Sequence, residues 1–254
     1  MKKLWVILII FLTAEINIVY ADANEDDSEK INIETALVSR YLWRGYNLGG
    51  PGFQASVDFE LFGNNSHALK IGAWGYSDFN VWTKEVDLSL SYYFFNKKAA
   101  IILYDYWYVS EMTQDYFNYK NNSTSHAFEI QLNYTFNPTE NDNIVFSWAT
   151  FIYGDDKKLS STNSYKQAYS GYFEIKYIKD CLFSKYGFET SIGFSPWESQ
   201  TSYMVDKFSW VNAELKFNRE FRLNNNVEFT PTVAFTVNPK HNDAYLSFGV
   251  ACSF

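Results

Sequence analysis

The chain has 254 residues, a net charge of −8 and an aromatic content of 20%, with 23 Phe and 20 Tyr against 12 Gly and 5 Pro. The acidic balance argues against nucleic acid as a partner, and past the amino terminus no stretch approaches the roughly 18 continuous apolar residues that a membrane-spanning helix needs. So heavy an aromatic load suits either the lipid-facing girdles of a membrane barrel or the core of a β-sandwich.

At the amino terminus Lys2 and Lys3 precede an apolar run from Leu4 to Leu12, Val19-Tyr20-Ala21 offers a small-residue cleavage site, and an acidic stretch from Asp22 to Asp27 follows. This pattern predicts a signal peptide over 1–21 and a flexible periplasmic segment over 22–30. The apolar run is too short to span a bilayer. Cleavage removes two lysines and one glutamate, which carries the net charge from −8 to −9. The remaining 31–254 is of a size that all-β chains often fold as one domain.

Twelve segments of about ten residues, the length a tilted membrane strand requires, alternate with period two. They fall at 31–46, 52–62, 68–77, 84–95, 99–111, 125–136, 143–153, 165–178, 186–195, 207–218, 226–238 and 243–254. In the sixth, Phe128, Ile130, Leu132, Tyr134 and Phe136 interleave with Glu129, Gln131, Asn133 and Thr135. In the eleventh, Val227, Phe229, Pro231, Val233, Phe235 and Val237 oppose Glu228, Thr230, Thr232, Ala234 and Thr236. The long connections Met112 to Thr124, Gly154 to Ser164 and Pro196 to Asp206 all fall at one end, and the short turns near Leu61 to His67, Phe95 to Ala99 and Asn137 to Asp142 at the other. An even strand count and this loop asymmetry predict a closed, up-and-down antiparallel transmembrane β-barrel over 31–254, rather than a sandwich. Closure also removes the exposed edges that a chain so rich in β-formers would otherwise present.

The last strand alternates Leu246, Phe248, Val250, Cys252 and Phe254 with Tyr245, Ser247, Gly249, Ala251 and Ser253. It resembles the closing strand of bacterial outer-membrane β-barrels in its polar Ser247, its Gly249 two residues on and its terminal Phe254, with Cys252 departing from the usual large side chain. The first strand, Ser39-Arg40-Tyr41-Leu42-Trp43-Arg44-Gly45, resembles the opening strand of a family of small bacterial outer-membrane porins. The pattern shared with that family is Ser39, Tyr41, Arg44 and Gly45, followed by the glycine-containing loop Asn47 to Gly52. The resemblance implies a single-domain barrel in the bacterial outer membrane, with its solute open. It also implies a seam in which the first strand, with Arg40 and Arg44, lies beside the inward-facing Ser247, Gly249 and Ala251. Partners implied by such a barrel are outer-membrane lipids and lipopolysaccharide, the barrel-assembly machinery acting on the C-terminal strand, and small solutes or ions.

Strand parity turns Arg40, Arg44, Lys70, Lys176 and Lys216 inward, with Glu34, Asp58, Glu60, Asp87, Asp105, Glu129, Glu174, Glu189, Glu214 and Glu228. Facing lipid, a Lys or Arg at the midplane would cost up to about 2–4 kcal/mol. Two readings follow. A water-filled lumen lined by Arg40, Arg44, Asp58, Asp87, Asp105, Glu129, Glu174, Lys216 and Glu228 would pass small solutes or ions and favour cations. Alternatively, Arg40 and Arg44 pair with Asp58, Asp87 or Glu129 and brace a plugged structural or receptor barrel. An enzyme is not expected: His67 and His241 lie in connections, and His126 has Thr124 and Phe128 where a lipase-like serine would be needed. No His or Cys cluster has metal-ligand spacing and no phosphate loop is present, so neither a metal nor a cofactor is expected. Cys181, in a turn, and Cys252, on an apolar strand face, are not expected to pair.

Overall fold

A strand that is apolar on one face and polar on the other, repeated without a covering helix, has to face lipid on the apolar side and leave no unpaired edge. The chain meets both demands by closing its sheet on itself. The computed structural model describes residues 31–254 except 81–82, 110–114, 122, 162–163, 183–184 and 224–226. The expected signal peptide and the segment over 22–30 lie outside the described residues.

Twelve strands form the wall: β1 (Ile31–Val38), β2 (Gly52–Gly63), β3 (Ala68–Asp78), β4 (Lys84–Phe94), β5 (Ala99–Val109), β6 (His126–Thr139), β7 (Asp142–Gly154), β8 (Gly171–Leu182), β9 (Tyr186–Ser195), β10 (Ser209–Asn218), β11 (Glu228–Asn238) and β12 (Asp243–Ser253). Each pairs antiparallel with its neighbours in sequence, and β12 pairs with β1 to complete the circle. At this seam Glu34 stands opposite Ser253 and Val38 opposite Gly249. The terminal residue is held, since the Phe254 N–H donates to the Ile33 carbonyl at 2.9 Å.

The period-two pattern sorts as expected. Leu88 and Leu90 on β4, Ile101 and Leu103 on β5, Ile130 and Leu132 on β6 and Leu215 and Phe217 on β10 are all exposed on the outer face. Their strand neighbours, such as Ser91 and Glu129, are buried on the inner face. The short turns gather at one end. There the Asn64 side chain accepts hydrogen bonds from the Ser66 and His67 amides, each at 2.8 Å, which is an Asx-type closure. The other end carries the long connections between β1 and β2, β5 and β6, β7 and β8, and β9 and β10, and in barrels of this kind that end is extracellular.

Two expected strands are drawn differently. The first ends at Val38 rather than at 46, because Ser39 ties off the wall: its amide donates to the Phe248 carbonyl at 2.8 Å and its hydroxyl accepts from the Phe248 amide at 2.8 Å. The chain then leaves the sheet and folds back as a separate hairpin, Tyr41–Trp43 against Tyr46–Gly49. The seam therefore sets Glu34 to Val38, and not Arg44, beside the last strand. The eighth strand begins at Gly171 rather than 165, since Tyr165–Gln167 pairs with Lys157–Leu159 in a small outer ribbon.

The two faces can be told apart by a charge. Leu88→Arg, which points outward, is expected to destabilise the folded barrel by about 2–4 kcal/mol, whereas Ser89→Arg, facing the lumen beside Asp58, is expected to change stability little. Denaturant titration of folding into lipid vesicles, with unheated gel mobility marking the folded form, checks both.

Candidate functional site

The hairpin enters the barrel and carries the candidate site at its tip. Arg44 and Gly45 form its two-residue turn with φ of 48° and 86°, positive at both positions as a type I′ turn requires. Gly45 is needed for space as well as for φ, because a Cβ there would lie 2.0 Å from the Val211 carbonyl oxygen. Arg44 is a non-glycine residue in a sparsely populated region, so something has to hold it.

What holds it is a set of contacts from several walls. The Arg44 guanidinium donates through Nη1 and Nη2 to the two Glu129 carboxylate oxygens on β6, at 2.6 and 2.8 Å, and through Nη2 to Gln131 at 3.3 Å. It also donates to the Tyr203 hydroxyl. Its guanidinium carbon lies over the rings of Trp43 and Tyr172, 4.6 Å from each centroid. The Glu129 side chain is fully buried and that of Arg44 is 11% exposed. Tyr106 on β5 donates a further hydrogen bond to Glu129 at 3.0 Å. A fork-to-fork pair with two aromatic faces against the guanidinium matches arginine's planar, weakly hydrated cation.

Tyr203 belongs to the β9–β10 connection, which also folds inward. Its ring stacks on Trp43 at 5.6 Å and 5° and on Tyr172 at 5.6 Å and 19°, and its carbonyl accepts from the Tyr46 hydroxyl. The base of this connection is tied to the β7–β8 connection by Asp156. That buried carboxylate accepts from the Ser170 amide at 2.9 Å, the Ser170 hydroxyl at 2.5 Å and the Ser202 hydroxyl at 2.8 Å. Next to it, burial pushes the Asp155 carboxyl above its usual range, with Lys157 opposing and Asp156 adding to the shift. Hairpin and connection together fill the lumen on the side of β5 to β8. On the opposite side a cavity of about 380 Å³ remains, with Glu34, Arg40, Gln54, Glu214, Lys216 and Thr232 among its lining residues.

The expected lining residues thus divide. Arg40 and Lys216 border the open cavity, Arg40 with its guanidinium 5.7 Å from the Tyr245 ring and Lys216 paired with Glu189 at 2.9 Å. Glu174 is inside, accepting from Tyr172 at 2.6 Å and Asn212 at 3.1 Å. Asp58 and Asp87 take inward positions on β2 and β4, and Glu228 is paired with Arg222 at 2.9 Å near the turn end. Arg44 and Glu129 come together as a bridge across the lumen rather than as separate wall charges.

Asp105 is on the other face. It shares its side of β5 with Ile101 and Leu103, and Tyr104 and Tyr106 take the lumen side. Asp105 meets Nδ1 of His126 at 2.7 Å, while Nε2 of that fully buried ring contacts the Tyr116 carbonyl at 2.6 Å. The charge tolerates the outer face because the β5–β6 connection covers it, with Tyr119 stacked on His126 at 4.1 Å. His126 is accordingly a covered structural group and not a surface residue. Cys181 and Cys252 are unpaired, and among the described residues no three His, Cys, Asp or Glu side chains converge as a metal-binding group.

Tyr203, Trp43, Tyr46, Tyr172 and Asp156 were not visible as site residues in the sequence. The one local signal was Arg44-Gly45, a turn pair inside what otherwise reads as a strand.

No family model matches the chain, and no curated protein matches it. Among solved structures the NanC porin aligns with a TM-score of 0.51 and 8% identity, over 88% of this chain and 98% of that one. The KdgM porin aligns at 0.49 and 8% identity, over 88% and 98% respectively. At this identity the likeness concerns the fold, which is that of a closed outer-membrane β-barrel.

The bridge is testable by a double-mutant cycle. Arg44→Ala leaves Glu129 buried without its counter-charge and is expected to lower stability by about 3–5 kcal/mol. Adding Glu129→Ala should recover part of that loss, and thermal unfolding in detergent measures the coupling.

Proposed function

We propose that this chain is a porin-like outer-membrane channel that passes small solutes or ions by passive diffusion. The path runs through the polar cavity left beside the inward hairpin. The observation that carries this reading is the unequal filling of the lumen: Arg44 and its partners close one side, and the other keeps a cavity lined by charged and hydroxyl-bearing side chains. The inward acids outnumber the inward bases, which favours cations. The apolar outer band would be solvated by outer-membrane lipids and lipopolysaccharide, and the terminal strand would engage the barrel-assembly machinery. The Ser39, Tyr41, Arg44 and Gly45 pattern supports placing the chain among the small porins, because in it Arg44 and Gly45 have a defined task, the turn that constricts the lumen. No catalytic step is proposed.

The hairpin also favours a second reading, a non-conducting receptor or structural barrel, since it and Tyr203 are fastened by several polar contacts rather than lying loosely in the lumen.

Planar-bilayer recording separates the two. The wild-type protein is expected to give small, discrete, cation-selective steps, and Gly45→Ala, which prevents the hairpin tip from seating against Val211, is expected to give larger ones. Silence of both proteins at all voltages would overturn the channel and leave the receptor barrel.

A further inference from the structure

The lumen contains a second acidic group that the Arg44 bridge does not use. Glu85 and Asp87 lie two residues apart on β4, so their side chains share the inward face. Glu85 is 6% exposed, and its Oε2 atom is buried without a hydrogen-bond partner; Oδ1 of Asp87 is in the same condition. The pairing register sets Tyr76 and Tyr108 opposite Glu85, and Trp74 and Tyr106 opposite Asp87. Tyr41, the first residue of the inward hairpin, closes the group from the lumen side. Its ring lies 5.3 Å from Trp74 and 4.7 Å from Tyr76, and it too is 6% exposed. Tyr41 is close enough to Glu85 and Asp87 to interact electrostatically with both.

Among the described residues no Lys, Arg or His forms an ion pair with either acid, and the nearby guanidinium of Arg44 is committed to Glu129. Two carboxyl groups in an aromatic enclosure are costly unless each oxygen is satisfied. A proton shared between the carboxyls would leave one negative charge without a counter-charge in this enclosure, whereas a divalent cation offsets both. A cation supplies what those two oxygens lack.

We propose that Glu85 and Asp87, with the Tyr41 hydroxyl, form a binding site for a hard divalent cation, calcium, inside the barrel wall. The ligands are all oxygen, two of them carboxylates, and their irregular placement on one strand and one hairpin suits calcium, which accepts variable geometry and completes its shell with water, better than magnesium, which demands a near-ideal octahedron. Because Tyr41 opens the hairpin, an ion held there would also fasten the root of the plug to β4. The site does not depend on whether the lumen conducts.

The test uses the full barrel in detergent, stripped with chelator and then titrated with calcium chloride, with sodium chloride of matched ionic strength as the comparison. Calcium well above its dissociation constant is expected to raise Tm by about 5 °C or more, and sodium is not. Glu85→Gln combined with Asp87→Asn should abolish the calcium response while the barrel keeps its unheated gel mobility. Asp87→Asn alone, which removes a single charge, should weaken calcium binding at least tenfold. Absence of a calcium response in the wild type, an equal response to sodium, or a calcium response retained in the double variant would each overturn the site. A protonated-carboxyl infrared band at neutral pH that disappears in the double variant, with no calcium response, would assign the pair to a shared proton instead.

Discussion

The ion pair between Arg44 and Glu129 organises the interior of this barrel. A guanidinium brought into the lumen on a two-residue turn has lost most of its water, and it regains what it lost from a bidentate carboxylate, a phenol hydroxyl and two aromatic faces. The reverse holds for Glu129, a fully buried carboxylate that only a well-aligned cation can compensate. Neither partner is tolerable alone, so hairpin and wall are held as a unit. Tyr203 depends on the same pair, and through it the β9–β10 connection is drawn in.

Elsewhere in the lumen the charges are settled locally. Lys70 pairs with Glu60 on the next strand at 3.6 Å and Lys216 with Glu189 at 2.9 Å, and Glu174 takes hydrogen bonds from Tyr172 and Asn212. These side chains face inward because the lipid face would desolvate them without such partners. The result is a two-sided interior, filled by aromatic side chains on one flank and polar and open on the other. Glu85 and Asp87 stand apart from this pattern, since their register neighbours are aromatic and among the described residues no cation pairs with them.

Much of the wall was legible in the sequence because a strand's two faces follow from a rule of two. On β4 and β6 the alternation of Leu with Ser, or of Ile and Leu with Glu and Gln, sorts residues by solvent without knowledge of any partner. The same rule failed where a residue's environment was supplied from elsewhere. Asp105 reads as a lumen charge by chemistry but sits on the outer face, since His126 and a covering connection neutralise and shelter it. Arg40 and Arg44 read as wall charges of a first strand running to 46 because they continue the period of β1, and Ser39 breaks that continuity through hydrogen bonds to Phe248, more than two hundred positions away.

Sequence alone determined that the chain would make an even ring of membrane strands, where its long and short connections would lie, and which side chains would avoid lipid, because each of these depends on local period and on transfer from water. Only the tertiary structure decided that Arg44 leaves the wall and bridges to Glu129, that Tyr203 returns to meet it, and that one flank of the lumen stays open. Those outcomes depend on contacts between residues 85 and 159 positions apart, and no local pattern encodes which distant groups will satisfy a buried charge.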